Sequence, residues 1–231
     1  MRINRFFGNF DFNSKEIKIS DREICRQIKD VLRLKAGEKI ILFNDSGKEA
    51  SVEIKKIEKG LIKTEIIKIK ENVCEPENEI ILYCSILKGE HFEMVAEKAT
   101  EVGVKKIVPI ICERTVKTGI RKERLEKIIK EAAEQSGRAI LPLLDKEIDF
   151  KEAVAEAREN NLNLFFDLSG EKFSFNDAIK MKVGVFIGPE GGWSKEELKI
   201  AKENNFKIFS LSKNTFRAET AAIIGSYLVN L

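Results

Sequence analysis

The spacing of apolar and polar positions changes partway along the chain. Over residues 1–72, short runs of strand-like composition recur: Ile3 to Phe10, Lys39 to Asn44, Lys48 to Ile57 and Leu61 to Ile69. Asn44-Asp45-Ser46-Gly47 and Gly60 supply turn chemistry between them. One helix interrupts the series. Ser20 and Glu23 have the spacing of a capping box, Ile24, Ile28, Val31 and Leu32 recur on one helical face, and Gly37 lies beyond its end. This pattern predicts a small β-barrel or sandwich with one helix.

The polar stretch from Glu71 to Glu79, with Pro76, marks a boundary, after which strands and helices alternate. Strands are predicted at Ile80 to Leu87, Lys106 to Cys112, Asn161 to Asp167, Val183 to Ile187 and Lys207 to Leu211. The helices fall at Glu90 to Val102, Arg121 to Gln135, Lys151 to Glu159, Lys195 to Asn204 and from about Arg217 to the end. Such alternation predicts an α/β domain with a largely parallel sheet covered by helices, its ligands at the C-terminal ends of strands.

One of those strand ends has the most complete signals. The apolar run Val183 to Ile187 stops at Gly188-Pro189, Glu190-Gly191-Gly192 follows, and Ser194 with Glu197 caps the next helix. Adjacent glycines permit positive φ and close backbone approach to a ligand. The P-loop pattern and the G-x-G-x-x-G spacing are both missing, and Glu190 puts a carboxylate where it would repel phosphate. A neutral or cationic ligand suits the corner better. Two other strand ends resemble it in promise: Phe166-Asp167-Leu168-Ser169-Gly170, and Leu211 to Thr220. In the second, Glu219 is favoured near a helix N-terminus, whereas the cation Arg217 is disfavoured there without a partner or ligand. Arg114 and Arg138 could converge on the same rim, although Arg138 is also placed four residues after Glu134 for a helical ion pair.

Charge adds a weak asymmetry. Residues 1–72 hold 17 Lys and Arg against 12 Asp and Glu, a balance of +5, while the remainder balances at −2. The N-terminal part is thus the better candidate for a polyanion, with Arg2, Arg5, Arg26 and Arg33 as candidate RNA contacts. Cys25, Cys74, Cys84 and Cys112 form no C-x-x-C pair and His91 has no ligand spacing to them, so no metal is expected. His91 also lacks a Ser or Cys partner and is expected on a helix surface. With no signal peptide and no apolar run of bilayer length, a reduced, cytoplasmic protein is expected.

Six segments in order give the chain a resemblance to the RsmE-like family of small-subunit ribosomal RNA uridine-N3 methyltransferases, within the knotted SPOUT superfamily. They are Arg5 to Phe7, Ile28 to Arg33, Lys98 to Thr115, Glu134 to Arg138, Ile187 to Leu198 and Arg217 to Ala221. Gln27 stands where many relatives have histidine, Ser212 where glycine is usual and Asn214 where arginine is usual.

The resemblance implies a PUA-like RNA-binding β-barrel over residues 1–72 and a SPOUT methyltransferase domain over 73–231, its end tucked into a trefoil knot. It further implies S-adenosylmethionine (SAM) as methyl donor, 16S ribosomal RNA within the small subunit as partner, and a homodimer. By the same resemblance SAM is held by Phe166, Asp167, Leu168, Gly188, Pro189, Glu190, Gly191, Gly192, Leu211, Ser212, Phe216, Arg217, Glu219, Thr220 and Ala221. Arg114, Arg138, Arg217 and Glu219 carry the chemistry. Two alternatives stay open at this point: a SPOUT enzyme modifying another RNA position, and a PUA-type RNA-binding protein without activity.

Overall fold

A computed structural model describes residues 3–173 and 181–230. The chain divides into two compact units, Met1–Glu75 with Ala133–Ile140, and Pro76–Ala132 with Leu141–Leu231.

The first unit is a five-stranded mixed sheet. Strands β1 (Arg5–Phe7), β2 (Glu16–Ile19), β3 (Lys39–Phe43), β4 (Lys48–Glu58) and β5 (Leu61–Glu71) lie in the order β1-β3-β4-β5-β2. The β1–β3 pair is parallel and the others are antiparallel. Phe6, Ile17, Ile19, Ile40, Leu42, Val52, Ile54 and Ile62 form its core, and β2 is a strand the sequence pattern did not predict.

Its helix differs in detail from expectation. The N-cap is Asp21, which accepts from the Ile24 amide at 2.9 Å, rather than Ser20. Helix α1 (Arg22–Arg26) then widens into a π turn at Gln27–Val31, in which the Leu32 amide donates to the Gln27 carbonyl. Ile24 and Ile28 are buried as predicted, but Val31 and Leu32 are exposed. The extra residue in the turn rotates them off the apolar face.

The second unit contains strands β6 (Glu79–Ser85), β7 (Lys106–Ile111), β8 (Leu143–Leu144), β9 (Ile148–Asp149), β10 (Leu162–Lys172), β11 (Lys182–Ile187) and β12 (Lys207–Ser210). Helices α2 (His91–Glu101), α3 (Lys122–Ser136, whose last residues from Ala133 belong to the first unit), α4 (Phe150–Glu156), α5 (Lys195–Glu203) and α6 (Ala218–Val229) alternate with them. The order is β12-β10-β11-β6-β7-β8, with every recorded pair parallel.

Both faces of this sheet are buried, which explains why its strands read as nearly unbroken apolar runs. Ile80, Leu82, Leu164, Phe166, Val183, Val185 and Ile187 face Phe92, Val95 and Ala99 of α2 and Ala222 and Val229 of α6. The alternate residues Ile81, Tyr83, Phe165 and Phe186 face Phe150 and Ala153 of α4 and Ala201 of α5. From β6 the chain proceeds to β7 on one side, whereas β10 to β12 lie on the other. The reversal between β11 and β6 is where an open parallel sheet leaves a crevice beyond its strand ends.

Candidate functional site

Four adjacent strand ends meet in that crevice. After β11 the chain turns through Gly188 to Trp193, with the Gly192 amide donating to the Pro189 carbonyl at 2.8 Å. Gly192 has φ 70°, a conformation natural to glycine, whereas Gly191 does not need positive φ. The predicted capping box of α5 is present. Ser194 Oγ accepts from the Glu197 amide, and Glu197 Oε2 accepts from the Ser194 amide at 2.8 Å. Trp193 Nε1 donates to the Phe166 carbonyl at 3.0 Å, tying this corner to the end of β10.

The other loops are shaped by their own polar groups. Glu190 Oε1 accepts from the Lys88 amide at 2.9 Å, so its carboxylate fixes the segment after β6 against the corner. Asp167 accepts from the amide and hydroxyl of Ser169 where β10 changes register against β12. After β12, Ser210 Oγ donates to the Ser212 carbonyl, and the Asn214 amide donates to Ser212 Oγ at 3.1 Å. The hydroxyl of Ser212 thus holds a turn that glycine could not hold in the same way.

Between these loops lies a cavity of about 570 Å³. Of the predicted cofactor residues, Phe166, Asp167, Leu168, Gly188, Pro189, Glu190, Gly192, Leu211, Ser212, Phe216, Arg217, Glu219 and Ala221 line it. Gly191 and Thr220 are not among its lining. Arg114 is not either: its Nη1 donates to the Gly191 carbonyl at 2.9 Å, so it braces the corner instead. Glu219 is buried in the first turn of α6, while the Arg217 side chain is 79% exposed at the cavity rim.

His91 was not expected here. It begins α2 with its side chain partly exposed on the helix surface as expected, yet it also lines the cavity and places Nδ1 3.2 Å from Glu219 Oε1. A signal existed: Lys88-Gly89-Glu90-His91 follows β6, a fourth strand end in the parallel sheet. Cys84 and Cys112 supply no nucleophile. Burial pushes both thiols up, that of Cys112 to about 12, which disfavours the thiolate.

Two predicted site residues have other roles in the first unit. Arg138 does not line the cavity; it is buried, with Nη2 donating to Glu75 Oε2 at 2.9 Å. The same carboxylate accepts from the amides of Ala139 and Ile140. Arg138→Ala is therefore expected to lower the unfolding free energy by about 3 kcal/mol, as when one partner of a buried pair is removed, with SAM affinity little changed. Denaturant unfolding and calorimetry on one preparation would check this. Arg5, offered as an RNA contact, donates to Glu49 at 2.7 Å and to the carbonyls of Gly137 and Arg138, and is nearly buried. Arg26 and Arg33 are exposed, and Arg2 lies outside the described residues.

Comparison with known proteins gives this architecture a class. Residues 74–230 match a model described as an RNA methyltransferase domain, and residues 28–67 match an RNA methyltransferase PUA domain. The fold is that of an α/β RNA methyltransferase carrying a PUA unit. More closely, the chain belongs to the ribosomal RNA small subunit methyltransferase E family. The protein of that name from Rickettsia conorii is 32% identical over 100% of this chain and 96% of its own length. Ribosomal RNA small subunit methyltransferase E 2 of Borreliella burgdorferi is 33% identical over 95% of this chain and 90% of its own. Among solved structures, the Neisseria gonorrhoeae family member bound to S-adenosyl methionine superposes with a TM-score of 0.88 at 28% identity. That match covers 97% of this chain and 95% of the other.

Proposed function

We propose that this protein transfers a methyl group from SAM to N3 of a uridine in 16S ribosomal RNA. The observation that carries the reading is the cavity at the switch point of the parallel sheet, in a chain whose SAM-bound relative aligns along almost its whole length. Its volume falls within the roughly 300–1,000 Å³ usual for cofactor sites. Phe166, Leu168, Ile187, Leu211 and Phe216 offer apolar surface to an adenine ring, and Asp167, Glu190 and Glu219 offer negative charge to a cationic sulfonium. Lys88 is a cation for a carboxylate. The residues present fit the cofactor.

When bound, SAM supplies an electrophilic methyl on sulfur. The protein's part is to hold the uracil in line with that methyl and to favour the ring with its N3 proton removed. Loss of that proton to solvent spreads negative charge over N3 and the flanking carbonyl oxygens, and the methyl's old bond to sulfur breaks to leave a neutral thioether. Arg217, an exposed guanidinium on the cavity rim, is the group we assign to meet it. Arg114 acts through the glycine corner it braces. Arg26 and Arg33, exposed on the N-terminal unit, are assigned to the RNA backbone.

The reading extends to a cytoplasmic homodimer with the trefoil knot of the SPOUT superfamily. Met94 of α2 and Tyr227 of α6, exposed on helices that pack together, support a partner-covered face. Among the described residues, no helix is long and apolar enough to cross a membrane. Mass-spectrometric mapping of 16S RNA from cells with and without the gene tests the activity. A methyl on one uridine N3 that vanishes with the gene is expected, and an unchanged map counts against the reading.

A further inference from the structure

Glu219 presents one oxygen to two possible donors. Oε1 lies 3.2 Å from His91 Nδ1 and 4.0 Å from Arg217 Nη1. The Glu219 side chain is 9% exposed, so it is held in one place, while those of His91 and Arg217 are 41% and 79% exposed. All three line the cavity, with His91 opening α2 and Arg217 the N-cap of α6.

The order of the two distances is chemically informative. A guanidinium matches a carboxylate better than any other side chain, because its planar fork can donate twice. Arg217 is also only two positions from Glu219. A buried carboxylate should draw a neighbouring guanidinium close, yet Arg217 stays at the outer limit of ion-pair range and the imidazole is nearer. Arg217 makes no side-chain cap bond and extends outward. Occupying Oε1 requires only a hydrogen on Nδ1, which a neutral or a charged imidazole can carry.

We propose that His91 is a positioning residue for methyl transfer. By competing for Glu219 Oε1 it weakens the pull of Glu219 on Arg217 and leaves the guanidinium for the RNA. The inference rests on the reading that Arg217 meets the uracil. It differs from a proton-accepting role, in which His91 would act whatever stands at position 217.

Four proteins test it: wild type, His91→Ala, Arg217→Ala and the double variant, each checked for an unchanged melting curve. SAM affinity is measured by calorimetry and methyl transfer into 16S RNA by tritium, with the product position mapped. His91→Ala is expected to leave SAM affinity within about threefold and to lower kcat about tenfold, since coupled neighbours interact at this scale. In the Arg217→Ala background the same change should cost less than about twofold, because the residue His91 protects is gone. His91→Arg, which again offers a donor to Oε1, should recover most of the lost rate. His91→Gln should lose less than alanine, and it serves if alanine disturbs the start of α2.

Wild-type kcat in His91→Ala, a matching loss of SAM affinity, no recovery by arginine, or the same fold loss with and without Arg217 would each overturn the proposal. A wild-type protein that binds SAM and methylates a position other than N3 would overturn the functional reading, and the proposal with it. That outcome is distinguished by the product map rather than by the variants.

Discussion

Arg217→Ala is expected to lower methyl transfer into 16S RNA by about a hundredfold or more, the scale on which a lost preorganised donor acts, while the melting curve scarcely moves. The stability half follows from geometry. Arg217 caps α6 without a side-chain cap bond, is 79% exposed, and stands 4.0 Å from Glu219, a carboxylate that His91 approaches more closely. A cation at a helix N-terminus is itself unfavourable by about 0.3–1 kcal/mol, so removing it offsets the weak pairing it loses. The chemical half follows from position, a guanidinium on the rim of a cavity otherwise rich in carboxylates. Arg217→Lys should recover only part of the rate, since the charge returns without the planar fork. Near-normal tritium transfer by the alanine variant would remove Arg217 from the site, and a collapsed melting curve would give it a structural role.

The cavity was legible in the sequence because its walls are strand ends. A capping box at Ser194 and Glu197, two glycines and an apolar run define a turn through local chemistry alone, and the structure realises it with the same hydrogen bonds. Arg138 and Arg5 were less legible. Their partners are Glu75 and Glu49, at separations of 63 and 44 residues, which no local pattern reports. The cavity position of His91 was hidden for the same reason, since its neighbour Glu219 lies on another helix. The apolar stripe of α1 failed differently. Its spacing assumed a regular helix, and a single π turn sent Val31 and Leu32 to the surface. Close approach is another thing that spacing does not report: a Cβ on Gly188, Gly184 or Gly225 would crowd Trp193, Asn163 or Phe166 respectively.

Of these, Gly188 gives the sharpest test of the cofactor pocket. A Cβ there would stand 2.9 Å from Trp193 Cε2 and 3.0 Å from Cδ2. The indole cannot easily withdraw. It donates to the Phe166 carbonyl, lies 4.2 Å from the Phe165 ring and 5.5 Å from that of Phe150, and is 5% exposed. Valine at position 188 would therefore move the backbone of the corner, pulling apart the Trp193–Phe166 link that joins two walls of the cavity. Overpacking of this kind costs about 1–3 kcal/mol, which a folded domain of this size can tolerate. Calorimetry should then show SAM affinity reduced by about a hundredfold or more, because a displacement near 1 Å in a supporting wall can have that effect. Gly119→Ala, outside the cavity lining, serves as the control. Its φ of 80° makes alanine strained, by roughly 1–3 kcal/mol, but no atom lies within 4 Å of the new Cβ, so the walls stay in place and the affinity should fall far less. A folded Gly188→Val protein that binds SAM as tightly as wild type would place the cofactor elsewhere in the molecule.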